Sequence, residues 1–191
     1  MFDSLLDRFG YDKTSLKILA SDGVVQGFEP SITLFGLTYH SRMIPPFKPN
    51  KTLILGYGMG TVADLTRRIW GDDCKIVCVD KDLSNRPYYE YQFFEMDALQ
   101  ALKSFTANGF TETFDYIVID LFNGGELSPI VFSDEFVELI EKISSKLVSI
   151  NVPMGSIKGL KGYYDKFDYL NQSIVFRQCV TYWTKKEVKN A

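Results

Sequence analysis

The sequence has few of the residues that build metal and nucleophilic centres. Its 191 residues include a single histidine, His40, and three cysteines, Cys74, Cys78 and Cys179. One histidine excludes multi-histidine metal sites, and any Ser-His-Asp or Cys-His arrangement would have to use His40. Three cysteines without a framework spacing are typical of buried thiols in a reducing compartment. We therefore expect a protein without a metal site.

The chain also lacks long hydrophobic runs and an excess of positive charge. No stretch approaches the roughly 18 apolar residues that cross a bilayer, and Asp3 and Asp7 stand where a secretory signal would be apolar. With 21 Lys and Arg against 24 Asp and Glu, the net charge is −3, which argues against a broad nucleic-acid-binding face. We therefore expect a cytoplasmic protein that binds neither nucleic acid nor membrane.

The first 50 residues show a short helical pattern followed by β character. Apolar spacing predicts an amphipathic helix over 2–9. Asp22-Gly23 lies between apolar runs at 16–20 and 24–28, which is a strong hairpin signal. A further β segment covers 31–40, and a proline-rich connector follows it. The sequence therefore predicts an N-terminal helix and a small antiparallel β section over residues 1–50.

From residue 51 to residue 191, strand and helix patterns alternate. The predicted strands cover 52–55, 75–79, 91–95, 116–119 and 147–152, and the predicted helices cover 61–70, 98–105 and 133–146. A β-rich tail over 173–184 suits an antiparallel edge. Repeated β-α units predict a doubly wound α/β domain with a mostly parallel sheet and helices on both faces. Ligands of such sheets bind at the carboxyl ends of the strands.

A glycine-rich loop is the strongest local signal for a binding site. It reads Gly-Tyr-Gly-Met-Gly from Gly56 to Gly60 and joins an apolar strand to a helix. Glycines permit a sharp turn and close approach of a ligand, and the N–H groups of the helix start can face an anion. The spacing is neither the G-x-G-x-x-G dinucleotide fingerprint nor a Walker loop. The alternative is a tight β-α turn that binds nothing.

Acidic residues follow three of the predicted strands. Asp80 lies 20 residues after Gly60, where a carboxylate can accept both ribose hydroxyls. Asp97 precedes a helix, so it could also be only an N-cap. Asp120 follows the strand at 116–119. Each acid alone could be a solvated loop residue, but three of them beside one glycine loop predict a single pocket.

Four runs of the sequence carry a family resemblance. In chain order they are LILGYGMGT, CVDKD, EMDALQAL and FDYIVIDLFNG. Over about residues 50–152 the chain resembles the class I S-adenosylmethionine-dependent transferases, and within them the spermidine and spermine synthases. Upstream, Tyr39-His40 is similar to a Tyr-His motif of that group. The resemblance implies the Rossmann-like fold of S-adenosylmethionine-dependent methyltransferases, and S-adenosylmethionine or its decarboxylated form as the cofactor.

The resemblance also implies roles for particular residues. The implied cofactor-binding residues are Gly56, Tyr57, Gly58, Gly60, Asp80, Lys81, Asp97, Ala98 and Asp120. In this scheme the glycines lie along the methionine part, Asp80 holds the ribose, and Asp97 and Ala98 meet the adenine. Asp120 is the implied catalytic residue, an acid that orients and deprotonates an attacking amine. The implied acceptor-binding residues are Tyr39, His40 and Asn123, although His40 could instead have only a local structural role.

Three departures from the aminopropyltransferase pattern shape the functional hypothesis. Met59, Cys78 and Asn123 stand where that group carries acidic residues, and an amine site needs such acids. We therefore expect metal-free methyl transfer from S-adenosylmethionine to a small molecule, of which an amine is one candidate. The alternatives are aminopropyl transfer from decarboxylated S-adenosylmethionine in polyamine biosynthesis, and a non-catalytic nucleoside-binding or interaction protein. The N-terminal sheet offers a surface for a homodimer.

Overall fold

The structure is a computed structural model that describes residues 18–21, 24–28, 38–84, 91–107, 111–175 and 177–186. In chain order its strands are β1 (Ile18–Ser21), β2 (Val24–Phe28), β3 (Lys51–Leu55), β4 (Lys75–Asp80), β5 (Gln92–Glu95), β6 (Phe114–Ile119), β7 (Phe122–Asn123), β8 (Glu126–Leu127), β9 (Ser144–Pro153), β10 (Phe167–Val175) and β11 (Gln178–Lys185). Its α-helices are α1 (Thr61–Trp70), α2 (Ala98–Phe105), α3 (Asp134–Ile143) and α4 (Lys161–Lys166). The helix predicted over 2–9 lies outside the described residues.

A two-stranded hairpin forms the described part of the N-terminal β section. β1 and β2 pair antiparallel, with Ile18 opposite Phe28, as the Asp-Gly signal predicts. The β segment predicted over 31–40 lies mostly outside the described residues, and its end is wrong. Residues Tyr39–Met43 form a 3-10 helix instead. The hydroxyl of Ser41 donates to the carbonyl of Thr38 at 2.7 Å, so a local side-chain hydrogen bond closes this turn.

The central sheet has seven strands in the order β10-β11-β9-β6-β3-β4-β5. β9, β6, β3, β4 and β5 are parallel neighbours, and β11 runs antiparallel to both β9 and β10. β11 is therefore the only reversed strand among the described strands of this sheet. The doubly wound, mostly parallel α/β fold is confirmed, and so is the antiparallel pairing of the tail. After β6, the short strands β7 and β8 form a separate hairpin.

The sheet is buried on both faces, which explains its continuous apolar strands. In β3, Leu53 and Leu55 pack into the hydrophobic core on the side of α2, α3 and α4, while Ile54 packs into the core on the opposite side. Alternate residues of a strand point to opposite faces, so this one short run contributes to both cores. Tyr116 belongs to the second core, and its hydroxyl donates to the carbonyl of Met43 at 3.0 Å. This bond fastens the 3-10 helix to the sheet.

The boundary between α3 and β9 differs from the prediction. The helix predicted over 133–146 ends at Ile143, because Ser144 already pairs with Phe114 of β6 as the first residue of β9. Helix α4 and the first half of β10 were not predicted. Outside these regions the agreement is close: α1 and α2 have the predicted bounds, and α1 ends before Gly71, whose φ is +79°.

The remaining structural findings concern the cysteines and membrane segments. Cys74, Cys78 and Cys179 are all buried and form no disulfide. Burial raises the pKa of the Cys78 thiol, so this side chain stays protonated inside the sheet. Among the described residues, none of the helices is long and apolar enough to cross a membrane.

Candidate functional site

A cleft opens at the carboxyl ends of β3, β4 and β6, next to the hairpin of β7 and β8. It brings together every residue that the resemblance assigned to a site except Gly60. The predicted residues that line it are Tyr39, His40, Gly56, Tyr57, Gly58, Asp80, Lys81, Asp97, Ala98, Asp120 and Asn123. Gly60 is buried and N-caps α1, so it shapes the loop without lining the cleft. Asn123 is an exposed residue of β7 at the rim.

Two glycines of the loop are required by the protein's own packing. Gly56 has a φ of +91°, and a Cβ there would collide with the backbone carbonyl of Asp120. Gly60 has a φ of +77°, and a Cβ there would collide with the hydroxyl of Tyr57. Both positions also lie in the left-handed region that side-chain-bearing residues rarely adopt. The tight-turn interpretation therefore explains these two glycines without a ligand.

The Asp80 carboxylate, at the end of β4, is bonded to the glycine loop. Its Oδ2 accepts from the backbone N–H of Tyr57 at 2.6 Å and of Gly58 at 3.1 Å. Its Oδ1 accepts from the backbone N–H of Asp82 at 3.2 Å. The neighbouring strands explain this contact, because Gly56 N–H continues the β3–β4 pairing by donating to the carbonyl of Val79 at 2.9 Å. Asp80 therefore holds the loop against the end of its own strand.

The Asp97 carboxylate caps helix α2 and pairs with a lysine. Its Oδ1 accepts from the backbone N–H of Leu99 at 2.8 Å, so the N-cap interpretation of this residue is confirmed. Its Oδ2 lies 3.1 Å from Nζ of Lys81, whose side chain is well exposed. Burial alone would raise the pKa of Asp97, but the hydrogen bonds from Lys81 and Leu99 outweigh it and lower the pKa. Asp97 is therefore a stable carboxylate beside Ala98.

A polar chain of three side chains forms the floor of the cleft. Asp120 Oδ1 accepts from Nδ2 of Asn151 at 2.8 Å, and Asp120 Oδ2 accepts from the hydroxyl of Tyr39 at 3.3 Å. Burial raises the pKa of Asp120 to about 6 and the negative charge of Asp80 adds to this, while the hydrogen bonds from Asn151 and Tyr39 act in the opposite direction. Burial and the charge of Asp120 hold the pKa of Tyr39 well above its usual value. Tyr39 therefore stays a proton donor to a carboxylate that can exchange its own proton near neutral pH.

The lone histidine stacks beside this chain. His40 is 4% exposed, and its ring lies 3.9 Å from the ring of Tyr39, centroid to centroid, at an interplanar angle of 27°. Tyr39 and His40 both belong to the 3-10 helix, and both line the cleft. His40 therefore supports the orientation of Tyr39 while remaining within reach of a ligand.

Two amide side chains of the cleft were missed by the sequence reasoning. Asn151 of β9 is fully buried, and its Oδ1 has no hydrogen-bond partner among the described residues. Gln178 of β11 also lines the cleft, and its Oε1 is likewise buried without a partner in the part of the chain that the structure describes. Asn151 had a signal, because it is a polar residue in an apolar strand, one position beyond the pair Ile119–Ile150. Gln178 had none, since the tail over 173–184 was predicted only as an antiparallel edge, with no register that would bring one of its residues to the cleft.

The charges of the cleft are mostly negative. Among the described residues, Asp80, Asp97 and Asp120 line it together with one lysine, Lys81, which is already paired with Asp97. Asp80 and Asp120 therefore leave an excess of negative charge near the floor. No group of three His, Cys, Asp or Glu side chains is arranged to hold a metal ion within the described ranges. The arrangement suits a cationic organic ligand.

Comparison with known proteins gives structural neighbours only. No protein-family model matches the chain, and no curated protein matches it in sequence. Human methyltransferase-like protein 13, solved in complex with SAH, is 15% identical, with 81% of this chain and 79% of that chain covered and a TM-score of 0.63. A ribosomal protein L11 methylase from Lactobacillus delbrueckii subsp. bulgaricus is 12% identical, with 74% and 72% covered and a TM-score of 0.56.

A third neighbour, a protein of Streptococcus mutans assigned as a SAM-dependent methyltransferase, is 14% identical with a TM-score of 0.64. The match covers 87% of this chain but only 52% of that chain, so this chain spans about half the length of that neighbour. Identities this low establish the fold alone. The chain has the Rossmann-like fold of S-adenosylmethionine-dependent methyltransferases.

Proposed function

We propose that this protein is an S-adenosylmethionine-dependent methyltransferase that acts on a small molecule. The observation that carries the proposal is the position of Asp120, a carboxylate with a pKa near neutrality, on the floor of a cleft whose wall is a glycine loop bonded to Asp80. The glycine loop and this proton acceptor both lie at the carboxyl ends of the strands, where ligands of such sheets bind. The fold of the neighbours supports the same reaction class.

The cleft fits S-adenosylmethionine by charge and by shape. The glycine loop would run along the methionine part, Asp80 would meet the ribose, and the half-buried Met96 with Ala98 offers an apolar surface for adenine beside Asp97. The excess negative charge matches a sulfonium cation. When bound, the cofactor supplies a methyl group that is already strongly electrophilic. Holding the acceptor in line with that methyl group would then provide much of the rate.

Asp120 supplies the proton transfer in this proposal. With a pKa of about 6 it is mostly ionised at pH 7.5, so it can accept a proton from the nucleophile of the acceptor. Tyr39 and Asn151 each bond one of its two oxygens, which fixes the plane of the carboxylate. The remaining lone pairs of these oxygens can face the cleft.

The acceptor in this proposal carries hydrogen-bond donors, as an amine does. Asn151 and Gln178 both line the cleft, and their amide oxygens are buried without a partner among the described residues. Leaving a buried polar atom unpaired costs roughly 1–3 kcal/mol. N–H or O–H groups of an acceptor would remove that cost, and at Asn151 they would do so next to Asp120. This supports an amine over an acceptor whose reacting end is apolar.

Aminopropyl transfer from decarboxylated S-adenosylmethionine is the second candidate. The observation in its favour is the hydrogen bond between Tyr39 and Asp120, which joins two residues that the resemblance to the spermidine synthases pointed to independently. Met59 and Asn123, which replace acids of that group, both line the cleft. Two uncharged side chains there weaken the case for a polyamine, whose several ammonium groups need carboxylates. Methyl transfer is therefore preferred.

A calorimetric titration separates these functions. S-adenosylmethionine, its decarboxylated form and methylthioadenosine are each titrated into the purified protein. We expect S-adenosylmethionine to bind most tightly. A preference for the decarboxylated form would favour aminopropyl transfer. Absence of binding by all three to folded protein would favour a non-catalytic interaction protein.

A further inference from the structure

We propose that Asp80 is a positioning residue for the glycine loop, which it holds in the conformation that receives the methionine part of the cofactor. The identity of the ligand rests on the proposed function, but the contact between Asp80 and the glycine loop does not depend on it. Asp80 would thus act on cofactor binding in two ways, through direct contact with the ribose and through the loop. The two contributions can be measured separately.

The contacts of Asp80 favour the loop. Two consecutive N–H groups, of Tyr57 and Gly58, point at the same oxygen, Oδ2, at 2.6 and 3.1 Å. Consecutive N–H groups that converge in this way form an anion site, and here a side chain of the protein occupies it. Gly58 has a φ of +54° in the left-handed region, and the bond from its N–H to Asp80 helps to hold this conformation. Bonds to a charged acceptor are about twice as strong as neutral ones.

The side chain of Tyr57 anchors the loop from the other side. It is 5% exposed, and its ring meets the ring of Phe93 edge-on with centroids 5.2 Å apart. Tyr57 is therefore fixed by its ring in the core and by its N–H at Asp80. Gly58 has no side chain to anchor it and is held by its bond to Asp80 and by its two chain neighbours. Loss of the carboxylate should release Gly58 and Met59 first, and these two residues line the cleft.

The carboxylate has little capacity left for the ribose. Each of its oxygens can accept about two hydrogen bonds. Oδ2 already accepts two from the loop, and Oδ1 accepts one from the N–H of Asp82. One position on Oδ1 therefore remains for a ribose hydroxyl in this conformation, rather than the two that the sequence predicts. Most of the bonding of Asp80 goes to the protein itself.

Amide hydrogen exchange in the cofactor-free protein tests the loop contact directly. For Asp80→Ala we expect exchange at Tyr57 and Gly58 to become at least about tenfold faster, since a hydrogen bond to a charged group is lost. Asp80→Asn keeps an acceptor oxygen without the charge, so its exchange should lie between those of the wild type and the alanine variant. Asp97→Asn is the matched control, an acid of the same cleft that does not touch the loop, and should leave these amides unchanged. Unchanged exchange in Asp80→Ala would overturn the proposal.

Binding of two ligands then distinguishes the contribution that Asp80 makes through the loop from the one it makes through the ribose. Methylthioadenosine contains the ribose without the amino-acid part, whereas S-adenosylhomocysteine contains both. A residue that only holds the ribose would weaken both ligands by the same factor. We expect Asp80→Ala to weaken S-adenosylhomocysteine about tenfold more than methylthioadenosine, and Asp80→Asn to show a smaller excess in the same direction. General destabilisation would not change this ratio.

The outcomes distinguish this inference from the proposed function. Equal weakening of the two ligands in both variants would overturn the loop role while leaving the cofactor assignment intact. Failure of the wild type to bind S-adenosylhomocysteine, together with protected Tyr57 and Gly58 amides that Asp80→Ala exposes, would overturn the proposed function and support the loop contact. If Asp80→Ala does not fold, Asp80→Asn carries both measurements, with an expected intermediate exchange rate and an intermediate ratio.

Discussion

Replacing Asp120 by asparagine should stabilise the folded protein above pH 6 and should lower methyl transfer. The carboxylate is half-buried, and burial raises its pKa from 3.8 to about 6. Between these two values the folded state binds more protons than the unfolded chain, so the stability of the wild type falls as the pH rises. The amide introduced by Asp120→Asn would keep the bond from Asn151 and would carry no charge. The variant therefore avoids a cost that the wild type bears once Asp120 is ionised.

The size of this effect follows from the two pKa values. A difference from 3.8 to about 6 corresponds to about 3 kcal/mol at pH 7.5. Solvent still reaches part of the side chain, so we expect about half of that, or roughly 1.5 kcal/mol. At pH 4 the folded carboxyl is neutral and the unfolded one is partly protonated, so most of the gain should be gone, and it should disappear completely well below pH 3.8.

Urea denaturation of both proteins at pH 4 and at pH 7.5 measures the effect. Titrating groups that do not interact with Asp120 cancel in the difference between the variant and the wild type. Asp115→Asn is a control of opposite sign: burial would raise the pKa of Asp115, but hydrogen bonds from Asn50 and Lys146 outweigh it and lower the pKa. That variant should be destabilised at pH 7.5. A stability difference for Asp120→Asn that does not change with pH, or that favours the wild type at pH 7.5, would refute the reasoning.

Three further predictions concern the loop, the cleft floor and a helix start. Gly71→Ala, with open space around it, should cost only backbone strain of about 1–3 kcal/mol in thermal unfolding. Gly56→Ala should cost about 1–3 kcal/mol more than that, because a Cβ there also meets the backbone of Asp120; equal costs would contradict the clash. Asn151→Leu should shift the acid limb of the pH–rate profile to higher pH without changing affinity for S-adenosylhomocysteine, because Asp120 loses a hydrogen bond that lowers its pKa. An acid limb at the same pH in the variant and the wild type would argue against this. Ser133→Ala should cost about 1 kcal/mol in urea, since its hydroxyl caps α3, and no loss would exclude a working cap.

The parallel half of the fold could be predicted because its signals are local. β3, α1 and β4 are apolar runs separated by glycines at 56, 58, 60 and 71. Because the strands are buried on both faces, the prediction did not have to decide which face of each strand is buried. The end of α3 was wrong because Lys142 and Lys146 continue a helical polarity, while pairing of Ser144 with Phe114 decides the boundary. The first part of β10, before residue 173, carried no β pattern, since most of this edge strand is exposed.

The candidate site was predicted as a set of residues but not as a set of bonds. Strand ends in a parallel sheet meet at one edge, so Asp80 and Asp120 were bound to lie close together. Hydrogen bonds between elements have no sequence signature, which is why the contact of Asp80 with the loop was missed and Gln178 was not singled out. The division at residue 50, the homodimer, the cytoplasmic location and the absence of nucleic-acid or membrane partners stay predictions.

The most direct test of the proposed cofactor site is an experimental structure of the protein with S-adenosylhomocysteine. We predict that the ligand lies in the cleft, with its ribose at Asp80, its adenine beside Asp97 and Ala98, and its amino-acid part along the loop from Gly56 to Gly60. Its sulfur should face Asp120. A ligand bound elsewhere, or bound in the cleft with its ribose away from Asp80, would contradict this assignment.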